Sequence, residues 1–331
     1  ILHPMVEDGK EAVGSMGDDT PIAVLSSKFR PLSNFFRQNF SQVTNPPIDS
    51  LRENRVMSLN TRFGNLENIL DDRLTEQKSY VLESPVLSNS QFKKLFDIFD
   101  KNDVEQIDIT FDKNDPSKNL KTEIDKIRQD AEFAIRSGKK HLVVTDENIS
   151  KDRLSIPIIL AVGALQSYLV KKGLRKFISL NVRSSECLDT HYHAVLIGAG
   201  ATTVNPYLAV DSIFQRFEKG LFGKLSFDEC VSRYIKSIND GLLKIMSKMG
   251  ISVISSYRGG LNFQSLGLSR GLVADYFPGL ESKISGIGLS GIEDMIRKQH
   301  ESTFAENIIT LPIGGIYKYR HGGETHAYQA K

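Results

Sequence analysis

The chain has 331 residues, 40% of them hydrophobic and 25% charged, so it has the composition of an ordinary globular protein, with room for one large domain or two modest ones. A formal net charge of +2 gives no electrostatic reason to expect nucleic acid or an anionic membrane as a partner, and no run approaches the roughly 18 to 20 apolar residues that span a bilayer. Cys187 and Cys230, the only cysteines, lack CxxC spacing; they fit a reducing cytoplasm and cannot ligate an iron–sulfur cluster by themselves.

The first residues, ILHPMVEDGKEAVG, begin inside a helical pattern, without an initiator Met or the basic-then-apolar layout of a signal peptide. The chain therefore reads as a piece of a longer protein. Up to about residue 60 it is irregular and rich in turn formers, at Gly14–Pro21, Arg30–Pro31 and Thr44–Asp49. Between these lie a short apolar run, Ile22–Leu25, and a stretch from Leu32 to Phe40 whose Leu32, Phe35, Phe36 and Phe40 recur at helical spacing.

From about residue 104 a strand-then-helix rhythm takes over. Alternation of Ile107, Ile109 and Phe111 with Asp108 and Thr110 predicts a half-buried strand over 107–111. A helix follows, with Leu120, Ile124, Ile127, Ala131 and Ile135 on one face and Gly138 placed to end it. Further strands are predicted at 141–145, 177–182, 201–204 and 251–254. The helices between them open at Pro157, at Pro206 and at the Ser226–Glu229 capping box, and Gly173 and Gly250 close two of them. Helices of this length between strands imply right-handed parallel crossovers. The expected fold is α/β, a parallel sheet of βα units forming an open sheet or part of a barrel, preceded by an irregular N-terminal segment with helical character.

Few residues suggest chemistry. GIGLSG, Gly286–Gly291, matches the dinucleotide fingerprint GxGxxG, but the preceding KIS does not read as the buried strand that the fingerprint requires. His191 and His193 form an HxH pair that could ligate a metal from a strand, yet they lie about nine residues past one and lack a third ligand, so no structural metal is expected. Asp18 and Asp19 are adjacent carboxylates in a turn, not the separated, converging pair of acid–base catalysis. No nucleophile elbow or phosphate loop is present.

Four long strings carry more information: Pro4–Ser26 (PMVEDGKEAVGSMGDDTPIAVLS), Phe35–Glu53 (FFRQNFSQVTNPPIDSLRE), Thr190–Ala209 (THYHAVLIGAGATTVNPYLA) and Tyr234–Gly260 (YIKSINDGLLKIMSKMGISVISSYRGG). In order and spacing they resemble the central domain of glutamate synthases, and GGIYKYRHGGETHAY, Gly314–Tyr328, resembles the run into that family's FMN-binding barrel. The resemblance implies a connecting domain over 1–310, with a possible split into two subdomains near residue 100, and the start of the FMN barrel at 311–331. It implies an enzyme that makes L-glutamate from L-glutamine and 2-oxoglutarate in the cytoplasm. Ammonia released in a glutaminase domain would travel through a tunnel to a site holding FMN and a 3Fe–4S cluster. It further implies that Met16, Thr44 and Asn45 contribute to the tunnel wall. No cofactor or catalytic residue is expected within these residues, which would be inactive by themselves, and the expected partners are the glutaminase and FMN domains of the same polypeptide. The alternative reading is a free-standing nucleotide-dependent α/β enzyme using Gly286–Gly291.

Overall fold

The structure, a computed structural model, describes residues 1–11, 19–39, 46–63, 80–305 and 313–327. The chain opens with helix α1 (Leu2–Glu7) and single turns of 3-10 helix at Ala23–Leu25 and Leu32–Phe35. Strand β1 (Phe36–Gln38), helix α2 (Glu53–Val56), the antiparallel strands β2 (Thr61–Phe63) and β3 (Tyr80–Leu82), and helix α3 (Asn89–Ile98) follow. Next come β4 (Val104–Asp108), β5 (Thr110–Asp112), α4 (Leu120–Arg136), β6 (His141–Thr145), β7 (Arg153–Ser155) and α5 (Ile158–Lys171). Then come β8 (Ser179–Arg183), α6 (Thr190–Ala199), β9 (Thr203–Asn205), α7 (Tyr207–Glu218) and α8 (Phe227–Lys248). Helix α9 (Ile254–Tyr257), β10 (Phe263–Leu268), α10 (Arg270–Tyr276), β11 (Glu281–Ile287) and α11 (Leu289–Thr303) complete the described elements.

The centre is a four-stranded parallel sheet in the order β4-β6-β8-β9. Every residue of β6 is buried, as is usual when helices cover both faces of a parallel sheet. Helix α5 explains itself in the same way: Ile158 to Leu165 are all buried, which suits a segment that is apolar all round. The amphipathic α4 buries Leu120, Ile124, Ile127, Ala131 and Ile135, and α8 buries Tyr234, Ile238, Leu242 and Met246. Both begin in side-chain caps, Asn119 with Thr122 and Ser226 with Glu229, and the turn that ends α4 places Gly138 at φ +94°.

A second sheet, ordered β1-β10-β11, joins distant parts of the chain: β1 runs antiparallel to β10, with Phe36 opposite Ser265, and β11 runs parallel to β10. The expected helix over Leu32–Phe40 is therefore a single 3-10 turn followed by a strand as far as Gln38, and Phe40 lies outside the described residues. Leu32, Phe35 and Phe36 are still buried, because pairing with β10 takes the backbone while the same side chains fill the core.

Two more expectations need correction. The strand over 107–111 is broken into β4 and β5, because the Asp108 carboxylate accepts from the Thr110 N–H (2.8 Å) and hydroxyl (2.7 Å), and β5 turns away to pair antiparallel with β7. At 251–254 there is a parallel bridge between Val253 and Ser58 and then α9, not a strand of the sheet. The reading that no buried strand precedes GIGLSG holds, since the residues before it form β11, an edge strand exposed along most of its length.

Candidate functional site

Met16, Thr44 and Asn45 lie outside the described residues. Their described neighbours can be followed. Glu11 pairs with Lys244 of α8 at 3.7 Å, and the Ile48 N–H donates to the carbonyl of Ser247 at 2.8 Å. The chain before one stretch and the chain after the other thus meet the last turns of the same helix. Asn39, ahead of the second stretch, donates from its backbone to the Asn262 carbonyl at 3.1 Å. Beyond the first stretch, Asp19 accepts from the Ala327 N–H (2.8 Å), and its carboxylate meets His326 Nδ1 (2.6 Å). Arg30 and Glu324, both buried, form an ion pair at 3.6 Å that fixes the C-terminal segment against residues 20–30.

The polar groups that the sequence did not flag gather at the C-terminal ends of the parallel strands, where open α/β sheets keep their ligand crevices. Asp146, fully buried just past β6, accepts from the Ser184 hydroxyl (2.7 Å), the Ser185 N–H (3.0 Å) and the Ser185 hydroxyl (2.9 Å). Burial raises its carboxyl above the ordinary range against the pull of those donors. Arg183, at the end of β8, pairs with Glu147 at 2.8 Å and donates to the side-chain carbonyl of Asn205 at 2.6 Å. These contacts tie three strand ends together.

Next to them stands Glu186. Its Oε1 accepts from the Ile158 N–H at the start of α5 (2.9 Å), and its Oε2 accepts from the Tyr192 hydroxyl. Burial pushes its carboxyl up to about 7, and the neighbouring Asp146 adds to the rise. Glu186 lines a cavity of about 420 Å³ walled chiefly by Leu32, Leu154, Met295, Ile296 and Phe304. Asp189 also lines it, capping α6 through the Tyr192 N–H (2.8 Å) and accepting from the Tyr317 hydroxyl (3.1 Å). So does His300, whose Nε2 meets the Ser150 carbonyl at 2.7 Å. The legible trace of this site in the sequence is the polar string Ser184-Ser185-Glu186 directly after an apolar strand.

The other candidates resolve into packing. His191 and His193 sit on helix α6 and not near a strand end, so two residues of spacing turns them apart instead of to one side. His191 Nε2 meets the Ser33 carbonyl (2.9 Å) and His193 Nδ1 the Asp189 carbonyl (2.8 Å); burial lowers the pKa of His193. Among the described residues no group of three or more His, Cys, Asp or Glu is placed to hold a metal. Both cysteines are buried, and burial raises the Cys187 thiol far above the range of a nucleophile. In GIGLSG, a Cβ on Gly286 would lie 2.1 Å from the Gly267 carbonyl oxygen, so that glycine serves the close approach of β11 to β10. No described helix is long and apolar enough to cross a membrane.

The fold is thus that of an α/β domain built on a parallel sheet, with a polar layer and a cavity at the strand ends. The chain belongs to the glutamate synthase central domain family, whose profile matches residues 1–269. It is 56% identical over 329 residues to the glutamate synthase [NADPH] large chain of Azospirillum brasilense, covering 99% of this chain and 22% of that one. The large chain of Bacillus subtilis is 39% identical, covering 100% of this chain and 21% of that one. For the ferredoxin-dependent glutamate synthase of Pyropia yezoensis the figures are 38%, with 98% of this chain and 22% of that one covered. The chain therefore spans about a fifth of the length of the relatives it matches. Among solved structures, the flavin-binding domain of baker's yeast flavocytochrome b2 aligns over 53% of this chain and 38% of its own, at 14% identity and a TM-score of 0.33, which is too slight to bear on the fold.

Proposed function

We propose that this chain is the connecting domain of a cytoplasmic glutamate-forming flavoenzyme. It joins a glutaminase domain to an FMN-binding domain of the same polypeptide, the run from about residue 311 leading into the latter, and walls part of the path that ammonia takes between them. The observation that carries the reading is family membership over residues 1–269, together with relatives about five times as long, which leave room for both partner domains. FMN and a 3Fe–4S cluster belong, in this reading, to the rest of the polypeptide. The two buried cysteines do not fit a cluster, and the chain by itself performs no turnover.

The chain's own part is to bind and orient. Ammonia must cross as the neutral molecule, since a carboxylate along the way would favour and hold ammonium. Met16, Thr44 and Asn45 supply a soft apolar surface and small neutral polar groups. What supports the reading is that Glu11, ahead of the first stretch, and Ile48, after the second, both contact the last turns of α8.

The test is Thr44→Phe in the full-length enzyme. Glutamine-dependent glutamate synthesis is expected to fall about tenfold or more, with synthesis from added ammonia little changed and glutaminase activity retained. Equal loss of both synthetic reactions, with the domain still folded, would remove Thr44 from the conduit.

A further inference from the structure

The cavity at the end of the parallel sheet is not needed for the connecting role, and its lining is chemically one-sided. Its volume of about 420 Å³ falls in the range of small-molecule sites. It far exceeds the roughly 30 Å³ that one water or ammonia occupies. Most of its wall is aliphatic or aromatic. The ionisable side chains on it are Glu186, Asp189, His300 and the phenols of Tyr192 and Tyr317, and no lysine or arginine is among the described lining residues.

His300 makes the imbalance specific. The ring is 5% exposed, and since the Ser150 carbonyl can only accept, Nε2 carries the hydrogen of that bond. Nδ1 is then a bare acceptor, and it is buried without a partner among the described residues. A buried acceptor left unpaired is costly unless something brings it a donor. Glu186 and Asp189 each accept two hydrogen bonds, but a carboxylate offers about four lone-pair sites, so both keep accepting capacity toward the cavity they line.

We propose that this cavity binds a small organic amine, its apolar body packed on Leu154, Met295, Ile296 and Phe304 and its amino group donating to the acceptors of His300, Glu186 and Asp189. An ammonium carries three donors and no acceptor, which complements a wall with acceptors in surplus. An anion meets two carboxyls and, among the described lining residues, no lysine or arginine. The α-ammonium of Ile1 lies near Asp189, so the wall as a whole disfavours an anion. Ammonium alone would leave the apolar volume unfilled, so the organic body is part of the specificity. Burial raises the Glu186 carboxyl to about 7, with the Asp146 carboxylate adding to the rise and the Tyr192 hydroxyl and Ile158 N–H opposing it. Amine binding therefore releases a proton near pH 7, and affinity rises with pH through that region.

Calorimetric titration of the full chain with phenethylamine tests this, with 3-phenylpropionate and ammonium chloride as the paired probes. Saturable phenethylamine binding is expected, tightening several-fold from pH 6 to pH 8, with ammonium at least a hundredfold weaker and the anion silent. Met295→Trp, which fills the apolar end, and His300→Phe, which keeps a ring but removes the acceptor, should each weaken binding tenfold or more. If circular dichroism shows that Met295→Trp does not fold, Ile296→Phe reads the same end. Absence of phenethylamine binding, equal binding of the anion, ammonium matching the amine, or wild-type affinity in the folded cavity-filling variant would each overturn the proposal.

Discussion

The two principal sheets of this domain are built under different rules. In the parallel sheet, β4, β6, β8 and β9 follow one another along the chain, each pair in unbroken register and with a helix leading to the next strand. In the smaller sheet, β1 finds its partner in β10 more than two hundred positions away, and the β10–β11 register slips twice within one short ladder. In the first sheet β6, β8 and β9 are buried almost throughout and only the edge strand β4 reaches solvent, whereas β11 leaves Glu281, Lys283, Ile284, Ser285 and Gly286 exposed. Complete burial makes a strand's identity a local matter of composition. An edge strand is defined by what it pairs with, and its own residues say little.

Removing a side chain from each sheet tests the contrast directly. Leu180 in β8 is fully buried, and Leu180→Ala is expected to cost about 3–4 kcal/mol, the lost transfer energy plus a cavity that rigid neighbours cannot close. Ile284 in β11 is 46% exposed, so Ile284→Ala should cost less than about 1 kcal/mol. Urea denaturation of the two variants measures both. Equal costs would mean that β11 is covered in the protein, and that the division between sealed and open sheets is wrong.

The same division decides what could be read from the sequence. Strand 141–145 was legible to the residue, and so were the helix ends marked by Gly138, Gly173 and Gly250, all at positive φ. The capping box at Ser226 and Glu229 was equally plain. These are local signals, complete within a few residues. Phe35 and Phe36 carried a helical period but became a turn and a strand, since the deciding partner, β10, is remote. Asp108 looked like the polar half of an alternation and instead broke the strand by capturing Thr110. Of the sites, the sequence offered a histidine pair and a glycine motif that turned out to be packing. There was little notice of Asp146, Glu186 and His300, which come from three separate loops and helices and converge only through the fold. The resemblance to glutamate synthases, carried by long strings and not by single residues, was the part of the function that could be read.

A backbone test of the open sheet should have a smaller, more local effect. Gly286→Ala puts a methyl group where the Gly267 carbonyl oxygen would be only 2.1 Å away, and a strand must move because backbone cannot rotate aside. We expect a loss of about 2 kcal/mol, concentrated in faster amide exchange along β10 and β11. Amides of β6 and β8 should keep their ranking as the slowest. Uniform acceleration across both sheets would show that they unfold as one unit.

The smallest effect lies in how the two ends of the parallel sheet respond to pH. At one end His141 stacks on Phe63 at 4.7 Å and contacts the Ser179 hydroxyl at 2.8 Å, and burial lowers its pKa to about 4. The folded state disfavours its charged form, so its contribution is present above the unfolded value of 6.5 and is lost as pH falls toward 4. At the other end Glu186 rises from 4.5 to about 7, so its contribution is present below 4.5 and is lost as pH climbs through 7. Between about pH 4.5 and 6.5 the two slopes oppose each other, which flattens the wild-type profile. Glu186→Gln keeps an acceptor for the Ile158 N–H but cannot ionise, which leaves the His141 slope unopposed. A tenfold difference in proton affinity between the folded and unfolded states is worth about 1.4 kcal/mol, and with partial solvent access the variant should gain about 1–2 kcal/mol on wild type between pH 4.5 and 7.5. Urea midpoints at closely spaced pH values read this difference directly. A variant whose profile runs parallel to wild type would show that Glu186 stays ionised throughout, and that the strand ends are wetter than the sealed sheet they terminate.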